Sequence, residues 1–390
     1  MTEKRYVYAD NAATTRVLPQ ILEAMTPYYL EEFGNASSGL YSYGQRARAA
    51  LEDARARCAK MLGCDAEELY FTSGGTESDN WAILGALRAK KDKKHVISSS
   101  IEHPAVRNTL LRLEKEEGYE ITWLPVYEEG IVRVEDLEAA LRDDTALVCV
   151  MYANNEIGTI QPIRELAAIA HAKKVPFFCD AVQAVGHVDL DLHELGVDLL
   201  SLSGHKLHTP KGIGALYIKK GMWIKNLIEG GGQEKRKRSG TENVAGAVAL
   251  ATALEYMCGE EGKRERERIL ALRETLIDGL LEIPHVRLNG DRTRRLPGNV
   301  NVSCRFIEGE GLIMWLDLMG VAASTCSACS TASLDPSHVL LAIGLPHEIA
   351  HGSLRLTLDV DNTEEDVEFI LDAVKKTLER LRAMSPLCQE

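Results

Sequence analysis

Between about Leu69 and Lys219 the chain alternates short apolar runs with longer stretches in which apolar residues recur at helical spacing. Leu69 to Thr72, Ala146 to Tyr152, Val175 to Cys179 and Asp198 to Leu202 are of strand length, whereas the stretch from Glu77 to about Lys91 is amphipathic. That order predicts an α/β fold: a mostly parallel sheet covered by helices on both faces. A charged helix is expected from about Gly262 to Glu282, followed by alternating segments near Asn299 to Ser303 and Leu354 to Leu358. The last helix, about Glu364 to Met384, carries Val367, Ile370, Leu371, Val374, Leu378 and Leu381 on one stripe, most simply the core face of a smaller α+β C-terminal domain. At 390 residues the chain exceeds one typical core. The expected division is a large domain over residues 16–260 and a small domain built from 1–15 and 261–390. No internal repeat, low-complexity tract or long linker interrupts this pattern.

Several of these strand ends carry reactive residue types. Asp180 ends one apolar run and Lys206, in Ser203-Gly204-His205-Lys206, follows another. A lysine amine can hold an aldehyde as a Schiff base, and a carboxylate can keep a pyridine nitrogen protonated, so the pair suggests a pyridoxal phosphate site. Alone, either residue is ordinarily a solvated boundary residue. Ser73-Gly74-Gly75-Thr76 precedes the amphipathic stretch, where backbone amides and the Thr76 hydroxyl could bind phosphate, with Ser203 and His205 reaching the same anion. An ordinary turn with a helix cap reads the same way. His103 stands before Pro104, a residue well placed to begin a helix. At the C-terminal end of a strand its imidazole could stack on a planar cofactor and carry protons, or simply cap the helix. Asn154 and Asn155, after the run to Tyr152, and Gln183, three residues past Asp180, offer carboxamides to a phenolic oxygen or a carboxylate. A polar turn is the plainer explanation.

Ser324 to Ser333 is a run of small polar residues around Cys326 and Cys329. Such a segment cannot form a core, so a cysteine in it is accessible and free to move, as suits a nucleophile that carries something away. The competing reading is a half zinc site or redox pair, from the CxxC spacing, but no second CxxC exists in the chain.

Taken together and in order, these segments resemble the cysteine desulfurases, the NifS/IscS-like branch of the class-V aminotransferases among fold-type I pyridoxal phosphate enzymes. The resemblance covers nearly the whole chain: Tyr8 to Thr15 (YADNAATT), Phe71 to Asn80 (FTSGGTESDN), Asn154 to Gly158 (NNEIG), Asp180 to Gly186, Ser203 to Lys206 (SGHK) and Pro210 to Leu216 (PKGIGAL). It continues through Gly230 to Asn243 (GGGQEKRKRSGTEN), Ser327 to Ser337 (SACSTASLDPS) and Ser353-Leu354-Arg355. The long sulfur-carrying loop, about 322–335, favours the IscS-like group over the SufS-like group, whose GHHCA-type motif is absent.

The resemblance implies a transferase that converts L-cysteine to L-alanine and carries the sulfur as an enzyme persulfide, with pyridoxal 5'-phosphate as cofactor and no metal. It implies that Lys206 holds the cofactor aldehyde, Asp180 pairs with the ring nitrogen, Gln183 bonds the ring oxygen and His103 stacks on the ring. Gly75, Thr76, Ser203 and His205 would hold the phosphate, with Thr241 reaching it from a second subunit of a homodimer. Arg355, with Asn35 and Asn155, would receive the substrate carboxylate, and Cys329 aligns with the nucleophile. An iron–sulfur scaffold, a tRNA-thiolation protein or a dedicated partner would accept the sulfur. Four positions depart from the family pattern: Cys326 replaces a usual glycine, as does Thr209 before Pro210, and Ala36 and Tyr41 replace a proline and a histidine near Asn35. Cys326 could resolve the Cys329 persulfide, form a disulfide with it, or have no role. Within the same superfamily a selenocysteine lyase or aminotransferase remains the alternative, and outside it a noncatalytic sulfur-transfer partner. The loop thiol weighs against an aminotransferase, and retention of Lys206, Asp180, His103 and Cys329 together weighs against a decayed site.

Composition agrees. Hydrophobic content of 45% and charged content of 26% are those of a soluble globular protein. The net charge of −13 argues against direct nucleic-acid binding and against anionic membranes, the run Lys235 to Arg238 being the exception. Met1 to Thr15 lacks the apolar core of a signal peptide, and no run approaches a membrane span. Nine cysteines without framework spacing fit reduced thiols, so the expected compartment is the cytoplasm.

Overall fold

The computed structural model describes residues 5–90, 92–325 and 336–385. Its strands, in chain order, are β1 (Val7–Tyr8), β2 (Leu69–Thr72), β3 (His95–Ser99), β4 (Glu120–Leu124), β5 (Thr145–Cys149), β6 (Phe177–Asp180), β7 (Leu199–Ser203), β8 (Gly214–Ile218), β9 (Val286–Leu288), β10 (Asn299–Cys304), β11 (Val321–Ala322) and β12 (Ser353–Thr357). Seven of them form one sheet in the order β2-β8-β7-β6-β5-β3-β4. The run from β7 to β4 is parallel throughout, and only β8 runs against its neighbours β7 and β2. Strands β2, β3, β5, β6, β7 and β8 are buried at every residue, so apolar side chains stand on both faces of the sheet instead of alternating with exposed polar ones.

Two boundaries differ from the sequence expectation. The helix placed at Glu77 begins two residues earlier, at Gly75, because Gly74 adopts a φ of 154° that turns the chain directly into it. β3 ends at Ser99, so His103 is not the last residue of a strand. It caps the helix Pro104–Glu117, its Nδ1 accepting from Ala105 N at 3.2 Å.

The second, smaller body is α+β, as expected. β9, β10 and β12 form an antiparallel sheet against which the helices Glu260–Leu281, Gly309–Met319 and Glu364–Met384 bury Ile277, Leu312, Ile370 and Val374. Thr363 and Asp366 close a reciprocal capping box that fixes where the last helix starts. The first residues join this body. β1 pairs in parallel with β11, Asp10 bridges Thr357, and Ala12 N donates to Thr357 Oγ1 at 2.9 Å. The chain then crosses to the large body, where Thr15 N donates to His205 O at 3.0 Å.

Two buried ion pairs tie distant segments together. Arg55 forks onto Glu234 with both nitrogens at 2.7 Å, and each side chain is only 2% exposed. His208 faces Asp359 across the two bodies at 3.4 Å. The basic run Lys235 to Arg238 is not simply solvated: Arg238 forks onto Glu77 at 2.7 and 3.0 Å, and Lys235 Nζ donates to Ala66 O at 3.1 Å. Among the described residues no helix is long and apolar enough to cross a membrane.

Candidate active site

Because β6 and β7 are parallel neighbours, Asp180 at the end of one and the turn Gly204–Lys206 after the other leave the sheet on the same edge. The carboxyl edge of such a sheet is where open α/β folds bind ligands. A cavity of about 410 Å³ opens there, lined by Gly75, Thr76, His103, Asn155, Asp180, Gln183, Ser203, His205, Lys206 and Arg355 from the expected set. Segments more than 300 residues apart in sequence supply it.

Lys206 Nζ donates to the carbonyls of Ala12 and Ala13 at 2.5 and 2.7 Å, so the N-terminal crossing segment positions the amine. Gln183 Nε2 bonds the same Ala12 carbonyl at 3.0 Å. Asp180 is 4% exposed, and its Oδ1 accepts from Val182 N at 2.9 Å. Burial pushes its pKa up, while His103, the Val182 amide and Lys206 pull it back. Burial lowers the pKa of His103, which keeps the imidazole neutral. His205, desolvated and beside Lys206 and Lys211, falls to about 4. Its Nδ1 meets Thr14 Oγ1 at 3.2 Å.

On the other side of the cavity Arg355 Nη1 donates to Asn155 O at 3.1 Å and Nη2 to Asp10 Oδ1 at 2.8 Å. Its backbone pairs with Ser324 in both directions. Arg355 lines the cavity, and a planar guanidinium fork is of the shape that a carboxylate ligand matches.

The donor set fits the three parts of the expected cofactor. The first turn of the Gly75–Ala89 helix, with Ser203 and His205 beside it, suits a phosphate. A Cβ on Gly75 would lie 2.6 Å from Val182 Cγ2, so only glycine lets the helix start approach the loop after β6 this closely. Asp180, a buried carboxylate with a raised pKa, suits a cationic ring nitrogen, and Lys206 suits an aldehyde.

Asn35 and Thr241 are exposed and lie outside the cavity of their own chain. Cys326 and Cys329 lie outside the described residues. Asp10, Ala12, Ala13, Asp79, Met151, Val182 and Ser324 also line the cavity and were not singled out from the sequence. The YADNAATT and FTSGGTESDN segments contained four of them, but backbone carbonyls leave no side-chain signature.

A family model described as aminotransferase class-V matches residues 7–370. A protein named cysteine desulfurase IscS, from Methanosarcina thermophila, is 53% identical over 387 residues, spanning 99% of this chain and 95% of its own length. Among solved structures, a NifS-like protein aligns with a TM-score of 0.91 at 38% identity, covering 96% of this chain and 100% of its own. A second, described as SspA in complex with cysteine, aligns with a TM-score of 0.80 at 34% identity over 91% of this chain and 99% of its own.

Proposed function

The chain belongs to the class-V aminotransferase family and is a pyridoxal 5'-phosphate-dependent cysteine desulfurase, and from that premise we propose how its residues divide the work and where the sulfur goes. The convergence of Lys206, Asp180, His103 and Arg355 on one cavity carries this reading.

Bound in this cavity, the cofactor would draw electrons away from the substrate Cα through its protonated ring. Asp180 Oδ would hold the proton on the ring nitrogen, Gln183 would bond the ring oxygen, and His103 would stack on the ring face. Gly75, Thr76, Ser203 and His205 would bind the phosphate, the last as a neutral imidazole at neutral pH. Arg355 and Asn155 would take the substrate carboxylate. Lys206 Nζ would hold the cofactor aldehyde and would serve as the base for the substrate Cα proton. The Cys329 thiolate would then form a bond to the substrate sulfur as the Cβ–S bond breaks, and the three-carbon remainder would be protonated and leave as L-alanine. Because Nδ1 accepts from Ala105 N, it is the unprotonated nitrogen of the neutral His103 ring, and it is the atom that would accept the thiol proton in exchange for that bond.

Asn35 and Thr241, outside their own chain's cavity, would serve the second subunit's site in a homodimer. The persulfide would pass to an iron–sulfur scaffold or another sulfur acceptor, such as a tRNA-thiolation protein. Six unpaired cysteines among the described residues suit the reducing cytoplasm. The large domain would span 16–260, and the small domain 1–15 and 261–390. Incubation with L-cysteine and a reductant should yield alanine and sulfide in equal amounts. Lys206→Ala should lose the visible cofactor band, while Cys329→Ala should keep the band and release no sulfide. Full sulfide release by Cys329→Ala refutes the nucleophile assignment.

A further inference from the structure

Asp79 has no part in the roles above, yet it lines the cavity at 1% exposure. It sits in the second turn of the Gly75–Ala89 helix, and its Oδ1 accepts from Ser201 Oγ on β7 at 2.5 Å. One side-chain ligand atom from each of Asp79, Asp180 and His103 lies within 4.8 Å of the other two. Two carboxylates this close, both with their side chains buried, do not both ionise.

The surroundings decide which of the two gives up its charge. Asp180 has the Val182 amide on its oxygen and Lys206 and His103 in its field. Asp79 has only the Ser201 hydroxyl in its favour, against Asp180 after β6 and Glu102 from the segment before His103. Glu102 is itself buried, with its Oε2 unpartnered and its pKa pushed up to about 8, so near neutral pH it is largely protonated and brings no countercharge to the cluster. Burial and Asp180 both push the Asp79 pKa up. Glu77, the other acid in this helix's first turns, is committed to Arg238.

We propose that Asp79 is a positioning residue: it stands as a neutral acid beside Asp180, and so keeps the single negative charge of the pair on Asp180. The proposal rests on Asp180 facing the cofactor's ring nitrogen. A charged Asp79 would compete for that nitrogen's field, whereas a neutral one can turn its O–H toward the Asp180 carboxylate and stabilise it.

The test is a pH titration of the visible band of the holoenzyme, with His103 followed by NMR in the cofactor-free protein. Asp79→Asn keeps a donor and adds no charge, so both midpoints should stay within roughly 0.3 pH unit of wild type. Asp79→Leu removes the donor, and the visible-band midpoint should rise by about one unit. A midpoint that falls in Asp79→Asn, for the band or for His103, means Asp79 carries the charge and overturns the proposal. An unmoved band in a folded Asp79→Leu overturns it as well. Asp180→Asn separates the two levels of inference: if it leaves the band unmoved, the assignment of Asp180 fails, whereas a shift there with none in Asp79→Leu defeats only the role of Asp79.

Discussion

Removing Glu234 tests how much of this fold depends on a single charged contact. The carboxylate is buried, takes both forks of Arg55 at 2.7 Å and also accepts from Phe71 N at 2.8 Å, which lies on edge strand β2. In Glu234→Ala the guanidinium stays in place, held by the Leu69 carbonyl at 2.9 Å and stacked 4.7 Å from the Phe71 ring centre. Its remaining acid is Glu52 at 3.1 Å, whose side chain is 51% exposed and therefore screened. Charges about 4 Å apart at an effective dielectric of about 20 interact by roughly 4 kcal/mol. Breaking one side of a buried pair costs about 3–5 kcal/mol. With Glu52 recovering part of that, the expected loss is about 3 kcal/mol, roughly a hundredfold in the folding equilibrium. Urea unfolding of the purified variant measures it. Replacing both partners, as Arg55→Met with Glu234→Leu, should restore most of the loss, because no charge is left stranded. A loss below about 1 kcal/mol for Glu234→Ala, or a double variant no better than the single one, would refute the reasoning.

Three further outcomes follow from the same geometry. For the His208–Asp359 pair, burial opposes protonation of His208 but Asp359 outweighs it, so the folded pKa is raised, while that of Asp359 is lowered despite its burial. The His208 contribution is complete below its unfolded value of about 6.5 and is lost as pH rises through the folded one; that of Asp359 is complete above about 3.9 and is lost as pH falls. His208→Gln should therefore destabilise the protein more at pH 5.5 than at pH 9, and an equal penalty at both would count against the pair. Arg355→Lys gives up the fork that holds Asn155 O and Asp10, so KM for L-cysteine should rise about 10- to 100-fold with a smaller change in kcat; an unchanged KM in steady-state assays removes Arg355 from the carboxylate site. Gly75→Ala sets a methyl 2.6 Å from Val182 Cγ2, and the forced shift of the helix start should weaken cofactor binding about tenfold or more in a fluorescence titration. Unaltered affinity would mean that this helix start does not hold the phosphate.

Much of this arrangement was legible because its parts sit where strands stop. Asp180 ends β6 and Lys206 follows β7, and both apolar runs are long enough to announce themselves. The last helix was legible to the residue, since its apolar stripe and the Thr363 cap agree. What escaped was set by distant partners. The reversed direction of β8 depends on pairing with β2 and β7, not on its own residues. The Arg55–Glu234 contact joins residues 179 apart, and no local pattern marks it. Asp79 looked like any polar residue in the first turns of a helix, because its significance comes from Asp180 and His103 lying across the cavity.

The crossing of residues 9–15 between the two bodies also has a bearing on how the protein is made. Ala12, whose carbonyl holds Lys206 and Gln183, is itself held by the hydroxyl of Thr357, 345 residues later. At about 5–20 residues per second, a ribosome completes the second partner roughly 17–70 seconds after the first. The lysine turn, the aspartate and the helix that would take the phosphate are therefore all synthesised well before the strap that aligns them can be fastened. A growing chain can display the parts of the site but not the site, so capture of the cofactor in its final geometry belongs to the last moments of synthesis or to the time after release.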